Sequence, residues 1–251
     1  MNNVENNQEY LNIAVKAILR AGNTLRNDFN STIKINSSIG KDIKLQADLD
    51  SEKIILEFLT GESDIPILSE ESGYLESKVQ NDYRWIIDPL DGTLNYSRSI
   101  FINCISIGLW NGNKPVLGVI YDFIHDSLFT GIVGGSARLN GEVISTSNIR
   151  YKKDAILCTG FPVYSNFGTE NLSDFVSEIQ EFKKVRLLGS AALSLSLLAR
   201  GSVEAYKEDD IAIWDVAAGI PIIIAAGGIC EISAGRSKNL LNVYAYNGKL
   251  I

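Results

Sequence analysis

The chain has 251 residues, 45% of them apolar and 21% charged, and a formal net charge of −7, which is the make-up of a globular protein with one large or two small domains. The acidic balance argues against a general binder of nucleic acid or anionic membrane, and leaves room only for a local basic pocket. No apolar run reaches the length of a membrane span, and polar, Asn-rich Met1–Glu9 has no signal-peptide core. Cys104, Cys158 and Cys230 are odd in number and far apart, which fits reduced thiols in a cytoplasmic protein rather than a disulfide framework or a zinc site.

The first helix is expected over residues 7–29, with Leu11, Val15, Ile18, Leu25 and Phe29 on its inner face and Gly22 marking close packing. Residues 30–44 read as a mobile loop or an edge hairpin. Asp48 stands ahead of a second helix over 51–60, whose Ile54, Ile55, Phe58 and Leu59 face inward and whose C-cap is Gly61. Locally Asp48 is a cap. A short strand, Ile65 to Leu68, then runs into Glu70-Glu71-Ser72-Gly73, and neighbouring strand ends deliver such acids to one pole.

The stretch Trp85-Ile86-Ile87-Asp88-Pro89-Leu90-Asp91-Gly92-Thr93-Leu94-Asn95 carries the most chemistry. An apolar strand meets Pro89, which stops pairing. Two carboxylates flank the Leu90 carbonyl, and Gly92-Thr93 begins a helix. Hard divalent cations take oxygen ligands of this kind, and helix-initial N–H groups suit a phosphate.

Strands over 102–110, 115–121 and 127–131 follow, with turns at Asn111-Gly112-Asn113, Gly134-Gly135 and Asn140-Gly141, forming an antiparallel meander. His125, the one histidine, lies in a turn with Asp122 and Asp126 and reads as a surface residue. Beyond about residue 145 strands and helices alternate, as in an α/β layer. The expected strands cover 155–159, 184–187, 203–206, 229–232 and 243–246, and the helices 172–182, 191–200 and 214–226. The expected domains are 1–145, α+β, and 146–251, α/β. Asp209-Asp210 reads as a solvated loop, and Asp215 as the opening of an apolar helix closed by Gly227-Gly228.

Three groups of residues together resemble the inositol monophosphatase-like family of metal-dependent, lithium-sensitive phosphatases. They are Glu70-Glu71-Ser72 ahead of Asp88-Pro89-Leu90-Asp91-Gly92-Thr93-Leu94-Asn95; Gly189-Ser190-Ala191-Ala192 with Glu204-Ala205-Tyr206; and Trp214-Asp215-Val216-Ala217-Ala218-Gly219 with Ala225-Ala226-Gly227-Gly228. The resemblance spans nearly the whole chain. It implies a layered αβαβα sandwich, a homodimer and two or three Mg2+ ions held by Glu70, Asp88, the Leu90 carbonyl, Asp91 and Asp215. It implies that Glu70 and Thr93 activate water, with Asp48 behind Thr93. Asp91, Gly92, Thr93, Ala191, Glu208 and Asp215 would contact the substrate, with the alcohol portion on Ala191 and Glu208. Asp42 to Asp48 departs from the family's usual Asp-Leu-Val-Thr wording, which bears on a third metal.

The implied reaction is Mg2+-dependent hydrolysis of a small phosphomonoester, an inositol monophosphate or related sugar phosphate. Relatives of this kind also act on 3′(2′),5′-bisphosphate nucleotides, fructose 1,6-bisphosphate or histidinol phosphate. Leu90-Asp91-Gly92-Thr93-Leu94 also looks like an aspartyl-phosphate loop, but Pro89 stands where that chemistry needs an acid. A regulatory dimer with little turnover, binding protein or RNA, is the alternative from another class; the acidity of the chain makes nucleic acid the less favoured partner.

Overall fold

The computed structural model describes residues 2–29, 35–39, 42–77, 82–161 and 169–251. Part of the expected 30–44 loop lies outside them. The helices are α1 (Asn2–Asp28), α2 (Gln46–Glu62), α3 (Thr93–Ser97), α4 (Thr169–Ile179), α5 (Ala191–Ala199), α6 (Ile213–Val216) and α7 (Gly219–Ala225). Strands β1 (Ile35–Ile39) and β2 (Asp42–Leu45) pair antiparallel as a hairpin. A second sheet holds β3 (Ile67–Ser69), β4 (Gly73–Leu75), β5 (Tyr83–Asp91), β6 (Cys104–Asn111), β7 (Lys114–Asp122), β8 (Ser127–Ile132), β9 (Ala137–Leu139) and β10 (Glu142–Ile144), in the order β10-β9-β8-β7-β6-β5-β3-β4. The third holds β11 (Ile156–Thr159), β12 (Lys184–Arg186), β13 (Ala205–Ala212), β14 (Ile229–Ala234) and β15 (Leu240–Tyr246), in the order β12-β11-β13-β15-β14.

The large sheet is buried on both faces, so its strands alternate between two cores. Trp85, Ile87, Ile105, Ile107, Leu109, Leu117 and Val119 point to α1 and α2. Ile86, Cys104, Trp110 and Ile120 point to the opposite core, where α5 and α7 lie between the two large sheets. On the far side of the third sheet, Ala155, Leu157 and Ala205 pack with Ile179 at the end of α4 and with Phe182. The layers therefore run α-β-α-β-α, the expected sandwich.

Several elements differ from expectation. The contact line of α1 runs through Ala14, Ala17, Ile18, Ala21 and Leu25, while Leu11 and Val15 are only half-buried. Small residues let the helix lie close to the sheet; a β-carbon on Gly22 would sit 2.5 Å from the Tyr121 ring. Helix α2 starts earlier than expected and takes Asp48 into its first turn. It also runs past Gly61 to Ser63, whose N–H caps the Leu59 carbonyl at 3.0 Å.

The expected single helix over 214–226 is two. Pro221 has no N–H for the Ala217 carbonyl four residues back, and the Trp110 indole N–H donates to that carbonyl instead, at 2.9 Å. Asp209 and Asp210 are not in a loop: β13 continues through a bulge between Glu208 and Ile211, with Asp210 at φ 55° and bound by the Arg236 side chain. The strand is longer than the sequence pattern shows because the bulge breaks its alternation.

A row of glycines sets the α6–α7 corner. Gly108, Gly118 and Gly131 are register partners across β6, β7 and β8. A β-carbon on Gly108 would lie 2.6 Å from the Ala217 carbonyl oxygen, and one on Gly131 2.7 Å from Ile222 Cα. The Ala218 carbonyl presses on Gly118 in the same way. Backbone thus lies directly on backbone, and Asp215 is brought down to the C-terminal end of β5.

Candidate active site

Strand β5 ends in an irregularity that the sequence dictates. Asp88 pairs with Ser106 and Asp91 with Cys104, so one extra residue sits on the β5 side. Pro89 cannot supply a ladder N–H, and the local groups are satisfied by side chains instead. Ser51 Oγ donates to the Pro89 carbonyl at 2.7 Å, and the Leu90 N–H donates to Asp88 Oδ1 at 3.0 Å. Gly92 follows at φ 86°, and a β-carbon there would lie 2.7 Å from the Ile102 carbonyl oxygen; both facts demand glycine. It turns the chain into α3, so Thr93 opens a helix at the rim of a cavity.

Strand β3 runs parallel to β5, with Ser69 opposite Ile87, and the Glu70 N–H donates to the Ile87 carbonyl at 3.3 Å. This register sets Glu70 beside Asp88, close enough for each carboxyl to act on the other. Asp215, from α6, comes up against Asp88 in the same cavity. Four acids from β3, β5 and α6 therefore wall one cavity of about 230 Å³: Glu70, Asp88, Asp91 and Asp215.

Burial pushes all four carboxyls above their ordinary range, and they also press on one another: Glu70, Asp91 and Asp215 on Asp88, and Glu70, Asp91 and Glu208 on Asp215. Two unit charges about 4 Å apart repel by roughly 4 kcal/mol at an effective dielectric of 20. A hydrogen bond to a charged group returns roughly 1.5–3 kcal/mol. The single N–H on Asp88 does not offset three acidic neighbours, so the ionised cluster requires cations or shared protons.

Asp48 uses both of its oxygens. Oδ2 accepts from the Leu45 N–H at 2.6 Å and Oδ1 from Thr93 Oγ1 at 3.0 Å. Asp48 is thus not the N-cap ahead of the helix, which is Leu45, but the third helical residue, reaching back to the Leu45 N–H with one oxygen and to Thr93 with the other. Burial raises its carboxyl to about 7. Thr93 Oγ1 also lies 2.9 Å from the Leu90 carbonyl, so its one proton has two acceptors to choose between.

Asp91 is oriented differently. Its Oδ2 accepts from Ser190 Oγ at 2.6 Å, from the Ala192 N–H at 2.7 Å and from the Cys104 thiol. The Ala191 N–H, expected to meet the alcohol portion, also points to this carboxylate. Ser190 and Cys104 were not singled out from the sequence. The Gly189-Ser190-Ala191-Ala192 run contained the signal, since Ser ahead of an apolar helix is an N-cap pattern.

Glu208 stands across the cavity. The Tyr206 hydroxyl donates to its Oε2 at 2.8 Å, and its carboxylate fills the space where Gly160 has no side chain. Burial, opposed by that hydroxyl, takes it to about 7. Phe161, also on the cavity wall, contacts Phe175 of α4 with ring centres 4.8 Å apart. His125 is away from all this, its ring 2.7 Å from Asp122 in the β7–β8 turn.

The donors are all oxygens, three Asp and one Glu carboxylate with the Leu90 carbonyl beneath them, which is the chemistry a hard divalent cation selects. Among the described residues no three His, Cys, Asp or Glu side chains are already spaced as a cage. Asp88 instead accepts the Leu90 N–H, and Asp91 is tied to the start of α5.

The inositol monophosphatase family model matches residues 6–248. This chain belongs to the inositol monophosphatase family. An inositol-1-monophosphatase of Synechocystis is 36% identical, the match covering 97% of this chain and 86% of that one. A protein of Pasteurella multocida called Nus factor SuhB is 35% identical, covering 90% and 86%. Among solved structures, an inositol monophosphatase from Anabaena superposes with a TM-score of 0.84 at 36% identity, covering 97% and 92%. The extragenic suppressor protein suhB of Bartonella henselae gives 0.86 at 32%, covering 95% and 94%. Membership supports a phosphatase acting on a phosphorylated small molecule. No helix among the described residues is long and apolar enough to cross a membrane.

Proposed function

We propose that the protein hydrolyses a small phosphomonoester, an inositol monophosphate or related sugar phosphate, with Mg2+ as cofactor. The observation that carries this is the meeting of four buried carboxyls, Glu70, Asp88, Asp91 and Asp215, on the wall of one cavity. Such a cluster has a purpose when cations neutralise it. Glu70, Asp88, the Leu90 carbonyl, Asp91 and Asp215 would hold two or three ions. When bound, these supply a water of lowered pKa and neutralise the phosphate dianion and the leaving alkoxide.

The chain's own groups do the rest. Thr93 and Glu70 orient the attacking water, and Asp48 fixes the Thr93 hydroxyl. Gly92 and Thr93 present N–H groups at the start of α3 to the phosphate. Glu208 and Ala191 line the side where the alcohol lies. Hydroxide ends on phosphorus, the ester P–O bond breaks, and the proton ends on the alcohol oxygen. This reading needs no protein nucleophile. It divides the chain near residue 145, with Asp215 and Glu208 supplied by the second part, and it treats the protein as a cytoplasmic homodimer.

The relatives named Nus factor SuhB favour a second reading, a regulatory protein with little turnover. A phosphate-release screen separates the two. Inositol monophosphates, sugar phosphates, a bisphosphate nucleotide and histidinol phosphate are offered with and without Mg2+, and with Li+ as inhibitor. Mg2+-stimulated, Li+-sensitive release from one class supports the phosphatase. No release from any member of the panel supports the regulatory reading.

A further inference from the structure

We propose that Ser190 is a positioning residue that reserves one oxygen of Asp91 for the cavity. Its hydroxyl fixes Asp91 Oδ2 against the head of α5, and Oδ1 is then the oxygen that Asp91 offers to a divalent cation. This rests on the reading above that the cavity takes such a cation.

A serine hydroxyl has one proton and two lone pairs. Ser190 is the N-cap of α5, and its Oγ accepts from the Leu193 N–H at 3.2 Å. That contact occupies a lone pair on the helix side. Cys104 Sγ also lies 3.9 Å from this hydroxyl, a weak contact in which either atom could donate; the carboxylate oxygen Asp91 Oδ2, 2.6 Å away and acceptor-only when ionised, is the stronger acceptor for the single proton. The Ala192 N–H reaches the same oxygen at 2.7 Å, and the Cys104 thiol, the register neighbour of Asp91 on β6, adds a weak donor. These three donors, Ser190 Oγ, the Ala192 N–H and the Cys104 thiol, all meet Oδ2.

The loop that carries Ser190 is itself anchored to the first half of the chain. Asn95 Nδ2 donates to the Leu188 carbonyl at 2.9 Å, and Gly189 takes φ 71° against the Asn95 side chain. Many residues cap a helix, Gly and Asn among them. Only Ser and Thr put the cap acceptor and a proton donor on one atom. Capping alone therefore does not account for the contact to Asp91. A carboxylate with one oxygen tied back binds a metal through the other in a fixed direction, and such outer hydrogen bonds govern metal affinity.

The test uses the full-length protein and two variants. Ser190→Gly removes the hydroxyl but keeps a tolerated cap; Ser190→Thr keeps both functions. Mg2+ titration by calorimetry is expected to show roughly 10- to 100-fold weaker binding in Ser190→Gly and recovery in Ser190→Thr. Metal-free crystal structures are expected to show a single Asp91 orientation in the parent and Ser190→Thr, and a turned or split carboxylate in Ser190→Gly. Parent-like Mg2+ affinity with an unmoved Asp91 in Ser190→Gly overturns the proposal. If the parent itself binds no Mg2+, the cation reading fails, and the metal-free crystal structures still judge the hold of Ser190 on Asp91.

Discussion

Asp88 accepts one backbone N–H and faces three acids, which makes it the most informative single position. Asp88→Asn keeps shape and removes the charge. Turnover should fall by more than the roughly 100-fold typical of losing an outer partner of a metal ligand, read as phosphate release at saturating Mg2+. The same change should stabilise the metal-free protein at neutral pH, because the repulsion from Glu70, Asp91 and Asp215 is relieved; thermal unfolding in a chelator checks this. Parent-like turnover in folded Asp88→Asn would remove it from the site. Thr93→Val deletes the hydroxyl on Asp48 and should lower kcat by roughly 100- to 10,000-fold, the range for positioned proton-transfer groups, with Mg2+ affinity little changed. At this scale, the run from Asp88 to Thr93 was readable because metal-type donors, proline and glycine sit next to one another. The N-cap pattern of Ser190 was legible, but its contact to Asp91 was hidden because that partner lies 99 positions away.

Among the elements, the α6–α7 corner decides whether Asp215 reaches Asp88. Gly118→Ala places a methyl against the Ala218 carbonyl, and overpacking of this kind typically destabilises by roughly 1–3 kcal/mol. The variant should also lose activity beyond its stability loss, since lifting the corner moves Asp215; kinetics on the folded fraction separates the two. Gly61 is the counter-case. It lies inside α2 with open space around it, so Gly61→Ala should stabilise by roughly 0.5–1 kcal/mol without altering turnover, seen as a raised Tm. Most of the helix and strand order was legible from apolar spacing and turn residues; the three-residue strands β4, β9 and β10 were too short to show a pattern. The broken helix was not, because Pro221 alone does not tell that Trp110 will take over the Ala217 carbonyl. The Asp209-Asp210 bulge was read as a loop for a related reason: its hold on Arg236 and Asn242 is tertiary.

For the whole molecule, the buried carboxyls link stability to pH. Burial raises Asp48 and Glu208 to about 7 and holds Glu70, Asp88, Asp91 and Asp215 above the ordinary carboxylate range. In the unfolded chain these groups lose their protons near pH 4. The folded form binds protons more tightly, so the stability it gains is complete below about pH 4 and is lost as pH rises through 7 and beyond. The metal-free Tm should therefore fall between pH 5 and pH 8. Mg2+ should restore it more at pH 8 than at pH 5; at about 100 times Kd a ligand adds roughly 2.7 kcal/mol, or very roughly 5–10 °C for a chain of this size. A metal-free Tm that climbs steadily over this range would contradict the assignment of these groups as a repelling cluster.

The most direct measurement is a crystal soaked in Mn2+, an anomalous scatterer that accepts the same oxygen donors. Two or three anomalous peaks are expected within ligand distance of Glu70, Asp88, the Leu90 carbonyl, Asp91 and Asp215. Full Mn2+ occupancy elsewhere in the crystal with no peak at these oxygens would contradict a metal site there.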